Sequence, residues 1–432
     1  MTVARVLMWG NDIGAVSQEN TNESAVFQYT PAFVKSGIEV APLTMPLRDA
    51  PYTFPALPAQ SFHRLPGLLA DSLPDKFGTA VIDAWLARQG RTPDSMNAVE
   101  RLRYTGSRGL GALEYAPANG PKQKTSRAVN VDSLVQLAGE VLQQRERFAT
   151  TLNSQPSADG LRDILSIGTS AGGARAKAII AWNPTTNEVR SGQVKADAGF
   201  EYWLIKFDGV IENKDKELVD PKCHTAIEYA YHLMSVAAGI NMSECRLLEE
   251  NGRRHFMTKR FDRTDTGGKW HMQSLGALMH WNFNVAGAYS YEGALLAMRQ
   301  LGLGLDAQAQ LFRRAVFNVI ARNQDDHVKN IAFLMDQQGQ WTLSPAFDVT
   351  YSYNPEGLWT HQHQMQIGGK RDGFTIRDLL TLGDVLQHGR AREVVDEVTA
   401  AIRRWPEFAE QAGIHNVLVT QIAKSHRLLI TT

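Results

Sequence analysis

The sequence predicts an α+β protein of two lobes, β-rich first and helical after. Three observations predict it. The chain has 432 residues, more than one core of about 100–200 residues organises. Short β-branched or alternating runs recur up to residue 261, at 3–9, 25–29, 178–182, 188–194 and 202–207. Beyond it the apolar spacing turns helical, at 290–301, 306–321, 376–382, 391–404 and 417–429. Composition fits a soluble globular protein, with 43% hydrophobic and 21% charged residues. The 45 basic residues balance 45 acidic ones, which argues against a general nucleic-acid binder and leaves a local basic patch open. Cys223 and Cys245 form no Cys-x-x-Cys, so they fit a reducing cytoplasm and offer no zinc site. No leader pattern and no apolar run near 18 residues is present, so neither secretion nor membrane spanning is expected.

The elements follow in order. Residues 3–9 form an apolar strand, and Asn11-Asp12-Ile13-Gly14 reads as the turn after it. Residues 65–78 lead into an amphipathic helix at 79–88. Gly106, Gly109 and Gly111 mark a tight crossing into a strand at 112–115, so 1–117 is expected to be an N-terminal α+β subdomain. Polar residues 118–127 read as a linker, and 131–149 has helical spacing. Residues 166–177 are rich in small side chains, which let backbone N–H groups approach phosphate oxygens. A plain turn has the same composition, and no Walker Gly-Lys-Ser/Thr follows.

Lys206 sits in the strand Trp203-Leu204-Ile205-Lys206-Phe207. Alternation puts it beside Leu204, opposite Trp203, Ile205 and Phe207, so it either faces solvent or is held for nucleotide phosphates. The helix at 225–238 carries Glu228 among apolar or small neighbours. A carboxylate on a buried side needs a cation, and Lys206 is the candidate. Residues 243–249 and 255–261 pair about Asn251-Gly252. They end at Lys259-Arg260-Phe261-Asp262-Arg263, a link where an adenine could meet backbone groups. The nucleotide-binding part is thus expected at 118–261 and a helical lobe with the catalytic residues at 262–432.

That second lobe holds Asn323-Gln324-Asp325-Asp326-His327-Val328-Lys329-Asn330, on a loop leaving a helix, and Ser344-Pro345-Ala346-Phe347-Asp348, just after a hairpin. Asp325 and Asn330 have the relation D-x-x-x-x-N. In protein kinases the Asp accepts the proton of the attacking hydroxyl, the Asn holds magnesium, and a later Asp holds magnesium too. Magnesium takes hard oxygen ligands and keeps waters, so a carboxylate, a carboxamide and nucleotide phosphates suffice. The pair alone also suits a loop whose Asp and Asn satisfy backbone groups. Asp326 is expected to cap the loop and His327 to be packed rather than basic. Lys329 either neutralises the transferred phosphate or lies on the surface. His361-Gln362-His363 lacks the companions of a zinc site and reads as a solvated loop. The order of Gly-rich loop, strand lysine, helix glutamate, link, D-x-x-x-x-N and late Asp is that of a bilobal protein kinase. Two departures stand out: no His-Arg-Asp occurs, and Phe347-Asp348-Val349 replaces Asp-Phe-Gly.

With these motifs, and with Gly67-Leu68-Leu69-Ala70-Asp71-Ser72-Leu73-Pro74-Asp75 near the N-terminus, the chain resembles the HipA family of serine/threonine kinase toxins from bacterial HipBA modules. The resemblance implies a bilobal protein-kinase-like fold, its β-rich N-lobe carrying an extra α+β module and its C-lobe all-helical. It implies Asp325 as catalytic base and Asn330 and Asp348 as magnesium ligands. Lys206 would hold the α/β-phosphates of ATP, and Lys259 and Phe261 would offer backbone groups to adenine. The family commonly has glutamate at Lys259. The phosphate loop would be Ala171, Gly172, Gly173, Ala174, Arg175, Ala176 and Lys177, and the autophosphorylated serine Ser170, with Ser166 and Thr169 as competitors. A phosphate adds about −1.5 to −2 charge, which in the family expels the loop and silences the kinase. Also implied are a cytoplasmic setting, the helix-turn-helix antitoxin HipB, operator DNA bound through it, and an aminoacyl-tRNA synthetase target, glutamyl-tRNA synthetase first. A small-molecule phosphotransferase and a catalytically silent co-repressor are the alternatives.

Overall fold

The computed structural model describes residues 1–120, 128–147, 175–192, 196–210, 223–264, 266–386 and 390–430. Two compact units result. One comprises Met1–Asn213, Leu248–Gln273 and Leu334–Gln340, and the other Lys214–Leu247, Ser274–Phe333 and Trp341–Thr432. This division departs from the expected boundaries. The helix bearing Glu228 belongs with the second unit, and residues 262–273 with the first.

The first unit opens with a four-stranded antiparallel sheet, ordered Val26–Tyr29, Asn11–Gln18, Thr2–Met8, Leu113–Ala116. Period-two alternation buries Ala4, Val6 and Met8 on one face. The expected turn at 11–14 is displaced. Trp9 and Gly10 both take positive φ and make the turn, and Asn11–Gln18 is strand. Gly14 answers a different need: a Cβ there would lie 2.5 Å from the Gln28 carbonyl oxygen and 2.7 Å from the Phe27 ring.

The second sheet has five strands, ordered Val189–Ser191, Lys177–Trp182, Glu201–Lys206, Arg253–Lys259, Cys245–Glu250. Trp203 and Ile205 are fully buried in a cluster with residues of the helices Lys76–Arg88 and Val131–Arg147. Lys177 and Lys206 are directly opposed across two strands, so they share the other face. Like charges so placed repel, and Asp75 offsets one of them: its carboxylate lies 3.0 Å from Lys177 Nζ, with both side chains buried. The same Asp75 caps the helix Lys76–Arg88 by accepting from Gly78 N at 2.7 Å.

The link ahead of the second unit is tied down by charge. Asp262 is 2% exposed. It accepts from Arg260 Nε at 2.9 Å and Nη2 at 2.7 Å, from Arg263 Nη1 at 2.7 Å, and from Gly111 N at 2.7 Å. Both guanidiniums also donate to the Gly109 carbonyl. The glycine-rich crossing is therefore a clamp for the link. It needs Gly111 at φ 71, where a Cβ would lie 3.0 Å from the Met272 backbone nitrogen.

In the second unit the helix Leu305–Ile320 is central, with Leu311, Phe312, Ala315, Val316 and Phe317 buried. It packs on Tyr291–Gln300 and Arg390–Arg403, and His224–Ala237 packs on Trp405–Gln411. The unit is not all-helical as expected. Tyr289–Ser290 pairs in parallel with Met365–Gln366, and the hairpin expected before Asp348 supplies the strand Trp341–Leu343. The last helix also stops at Ser425, four residues short of its expected end, because His426 turns inward to pack on Tyr231 and Trp405. Among the described residues no helix is long and apolar enough to cross a membrane.

Burial works to raise the pKa of Asp262, but the two guanidiniums and the Gly111 N–H outweigh it and hold it far below the carboxylate range. A depressed folded pKa gives stability that is complete above the unfolded value near 4 and lost as pH falls through the folded one. Asp262→Asn should therefore destabilise the first unit by about 3 kcal/mol at pH 7 and flatten its stability loss below about pH 4. Urea melts across pH check both. Wild-type stability at pH 7 would contradict the clamp.

Candidate active site

The helix Leu305–Ile320 gives way to a loop through Arg322, which takes φ 60. A left-handed non-glycine residue costs of order 1–3 kcal/mol, and side-chain contacts hold it. Arg322 Nε donates to the Ser425 carbonyl at 2.8 Å and Nη1 to Gln324 Oε1 at 3.0 Å, with the guanidinium 4.2 Å from the Tyr353 ring centre. The chain then runs irregularly through 323–330 to the strand Ala332–Met335.

The anchor of this loop is Asp326, whose side chain is fully buried. It accepts from Tyr291 Oη at 2.9 Å, His363 Nδ1 at 2.9 Å and Gln364 N at 2.7 Å. Burial pushes its pKa up, but the His363 ring and these hydrogen bonds prevail and keep it low. Tyr291 in turn accepts from Asn318 Nδ2 at 2.9 Å, and Asn318 Oδ1 accepts from Asn323 Nδ2 at 2.9 Å. Both ends of the loop's first half are thus fixed to helices. Asp326 is more than the expected cap. His363, expected in a solvated loop, is 1% exposed because it is the partner of that carboxylate.

Asp325 faces the other way. Trp359 Nε1 donates to its Oδ1 at 2.8 Å, and His327 Nε2 lies 3.9 Å from the same oxygen. Its side chain keeps 40% of its surface open. Desolvation raises its pKa, His327 and the Trp359 bond oppose this, and the charges of Asp348 and Asp326 add to the rise. Asn330 Nδ2 donates to the Asp325 carbonyl at 2.9 Å, so its Oδ1 is the end left to ligate. Lys329 Nζ lies 4.7 Å from the Phe283 ring centre, and His327 packs on the same ring at 5.8 Å, which matches a packed histidine.

Asp348 arrives on a pinned segment. Arg314, a buried guanidinium whose pKa falls to about 10 through desolvation, donates to the Ser344 carbonyl at 2.6 Å. Ala346 N donates to the Asn241 carbonyl at 2.8 Å, and Ser243 N to the Ala346 carbonyl at 3.1 Å. Asp348 itself has φ 56, strain of the kind stored at functional sites. Asn330 and Asp348 line one cavity of about 30 Å³, with Asp326, His327 and Asn323. Asn330 and Asp348 offer the carboxamide and carboxylate oxygens that magnesium accepts. Among the described residues no group of three His, Cys, Asp or Glu forms a metal site, and a pair completed by phosphate and water requires none.

The remaining expected residues divide. In the first unit, Lys206 is 7% exposed with Nζ 5.8 Å from the Phe256 ring centre, which excludes the solvent-facing alternative. Lys259 Nζ is 2.8 Å from Glu201 Oε1, which leaves its backbone as the contact the family implies. Phe261 follows in the link, and Arg175 and Ala176 lead into the strand with Lys177. Lys177 is committed to Asp75. In the second unit Glu228 is fully buried. Ser166, Thr169, Ser170, Ala171, Gly172, Gly173 and Ala174 lie outside the described residues.

The fold and site define a two-unit α+β protein whose second unit lines one hollow with Asp326, Asn330 and Asp348. Residues 169–405 match the HipA-like C-terminal domain and residues 4–116 the HipA N-terminal domain. The chain belongs to the HipA family. Among solved structures it is similar to a chain of the Shewanella oneidensis MR-1 toxin–antitoxin complex of HipA, HipB and operator DNA. The TM-score there is 0.65 at 16% identity, covering 98% of this chain and 95% of that one. A likeness to the Helicobacter pylori proinflammatory kinase CtkA, at TM-score 0.32 and 12% identity over 52% of this chain and 88% of that one, is too slight to carry an argument. No curated protein matches significantly.

Asp326→Ala leaves His363 and Tyr291 without their buried acceptor and should cost the second unit about 3 kcal/mol. Urea unfolding measures it, and a loss below about 0.5 kcal/mol would show that Asp326 is not the anchor.

Proposed function

We propose that the chain is an ATP- and magnesium-dependent serine/threonine protein kinase acting as the toxin of a toxin–antitoxin module. The observation that carries the reading is the grouping of three residues. Asn330 and Asp348 line one cavity, and Asn330 Nδ2 donates to the Asp325 carbonyl at 2.9 Å.

Asp325 is the base. Trp359 holds Oδ1, so Oδ2 accepts the proton of the attacking hydroxyl. Asn330 Oδ1 and the Asp348 carboxylate are the magnesium ligands, and the metal, when bound, screens the phosphate charge. Lys206 is assigned to the α/β-phosphates. Arg175 and Ala176, with 171–174, are assigned to the phosphate loop, and the backbones of Lys259 and Phe261 to adenine. Lys329 is assigned to the transferred phosphate. Little covalent work falls to the protein, and the rate comes from positioning and charge. Autophosphorylation is assigned to Ser170. The partners are the antitoxin HipB and, through it, operator DNA, and the target is an aminoacyl-tRNA synthetase, glutamyl-tRNA synthetase first. The setting is cytoplasmic. Family membership and the fold shared with the Shewanella HipA support the partner assignment.

Asp325→Asn should reduce phosphate transfer from radiolabelled ATP at least about 1000-fold with the fold intact. Residual activity within about tenfold would remove Asp325 from the base role, and transfer to small alcohols but to no protein would favour the small-molecule reading. Because burial raises the Asp325 pKa and the Trp359 hydrogen bond lowers it, activity should fall with acid above the usual carboxylate range near 4. Trp359→Phe should move that acid limb to higher pH, and a limb that stays put would separate Trp359 from the base. Peptide mapping after incubation with ATP should place phosphate on Ser170, and phosphate only on Ser166 or Thr169 would reject that site.

A further inference from the structure

Beyond the helix Asn416–Ser425 the chain folds back along the end of Leu305–Ile320. Arg427 N donates to the Ile320 carbonyl at 2.9 Å and Nη1 to the Val319 carbonyl at 3.2 Å. His426 is set among Tyr231 and Trp405, its Nε2 3.1 Å from Tyr231 Oη. Nothing in the phosphotransfer reading uses these residues.

Their geometry leads back to the loop. Arg427 Nη1 lies 3.0 Å from His363 Nε2, and Nη2 pairs with Asp372. A guanidinium nitrogen donates and cannot accept. Nε2 of His363 is therefore the acceptor, and the ring proton sits on Nδ1, 2.9 Å from Asp326 Oδ2. The guanidinium so selects one tautomer and one ring orientation, as a second partner does for a metal-bound histidine. Asp326 spends its other contacts on Tyr291 and Gln364 N. It is bonded in sequence to Asp325, whose carbonyl accepts from Asn330.

We propose that Arg427 is a positioning residue for the phosphotransfer centre: by fixing His363 it locks Asp326, and through Asp326 the backbone that aims Asp325 and Asn330. This rests on the kinase reading of the same site. A merely structural Arg427 would need only Asp372 and the Val319 carbonyl, and would leave catalysis unchanged wherever the fold survives.

The test compares the full chain with Arg427→Met, Arg427→Lys and Asp325→Asn. It measures phosphorylation of a generic protein substrate, thermal stability, and amide exchange of Gln364 and Asn330. Arg427→Met should lower kcat about 100-fold with KM for ATP within about twofold, and speed exchange of both amides about tenfold. Arg427→Lys, which restores a donor, should recover most of both. Wild-type kcat in a folded Arg427→Met, or a failure of lysine to rescue, overturns the proposal. If the wild type itself transfers no phosphate, as Asp325→Asn should not, the kinase reading fails, and exchange decides alone: unchanged Gln364 and Asn330 protection in Arg427→Met overturns the relay.

Discussion

A carboxylate removed from water is the constraint on which the second unit is built. Asp326 has no solvent to stabilise its charge, and an isolated buried carboxylate would cost far more than the fold has to spare. It is tolerable because a phenol, an imidazole and a backbone N–H converge on it. These donors come from two other parts of the unit: Tyr291 from a helix start, His363 and Gln364 from a segment over thirty residues downstream in sequence. Satisfying one charge therefore fixes three pieces of chain at once. The irregular loop 323–330 acquires the rigidity that regular structure would otherwise supply.

Asp325 and Asp326 show how neighbours with the same side chain take opposite roles. Asp326 is enclosed and held ionised by donors. Asp325 keeps part of its surface open and is restrained at one oxygen by Trp359. Environment alone separates them, as it separates acid from base in many enzymes. The first unit handles charge by the same rule. Asp262 is compensated by two guanidiniums, and Lys177, facing Lys206 across the sheet, by Asp75.

Much of this was readable from residue patterns because the determinants are local. Alternation located Lys206 within its strand, and apolar spacing located the helix before Asp325. The motifs at 259–263, 325–330 and 345–348 carried the family. Most of what was misjudged depends on contacts distant in sequence. His363 looked solvated because its partner lies 37 positions away. The helix over 417–429 had the right spacing, yet His426 and Arg427 gain more from Tyr231, His363 and Asp372 than from another turn. Asn11–Gly14 carried a turn composition, while the turn fell where Trp9 and Gly10 accept positive φ. The boundary drawn at 262 differs from the division into two units, and Asp262 is clamped to Gly111, 151 positions earlier. None of these pairings leaves a mark in a local window.

The most direct measurement is a crystal structure of the chain with manganese and a non-hydrolysable ATP analogue, using anomalous scattering to find the ion. The expected result is an anomalous peak about 2.1 Å from Asn330 Oδ1 and an Asp348 carboxylate oxygen, with the γ-phosphate facing Asp325. A nucleotide and ion bound in order elsewhere, with Asn330 and Asp348 touching neither, would contradict the assignment of this hollow as the phosphotransfer centre.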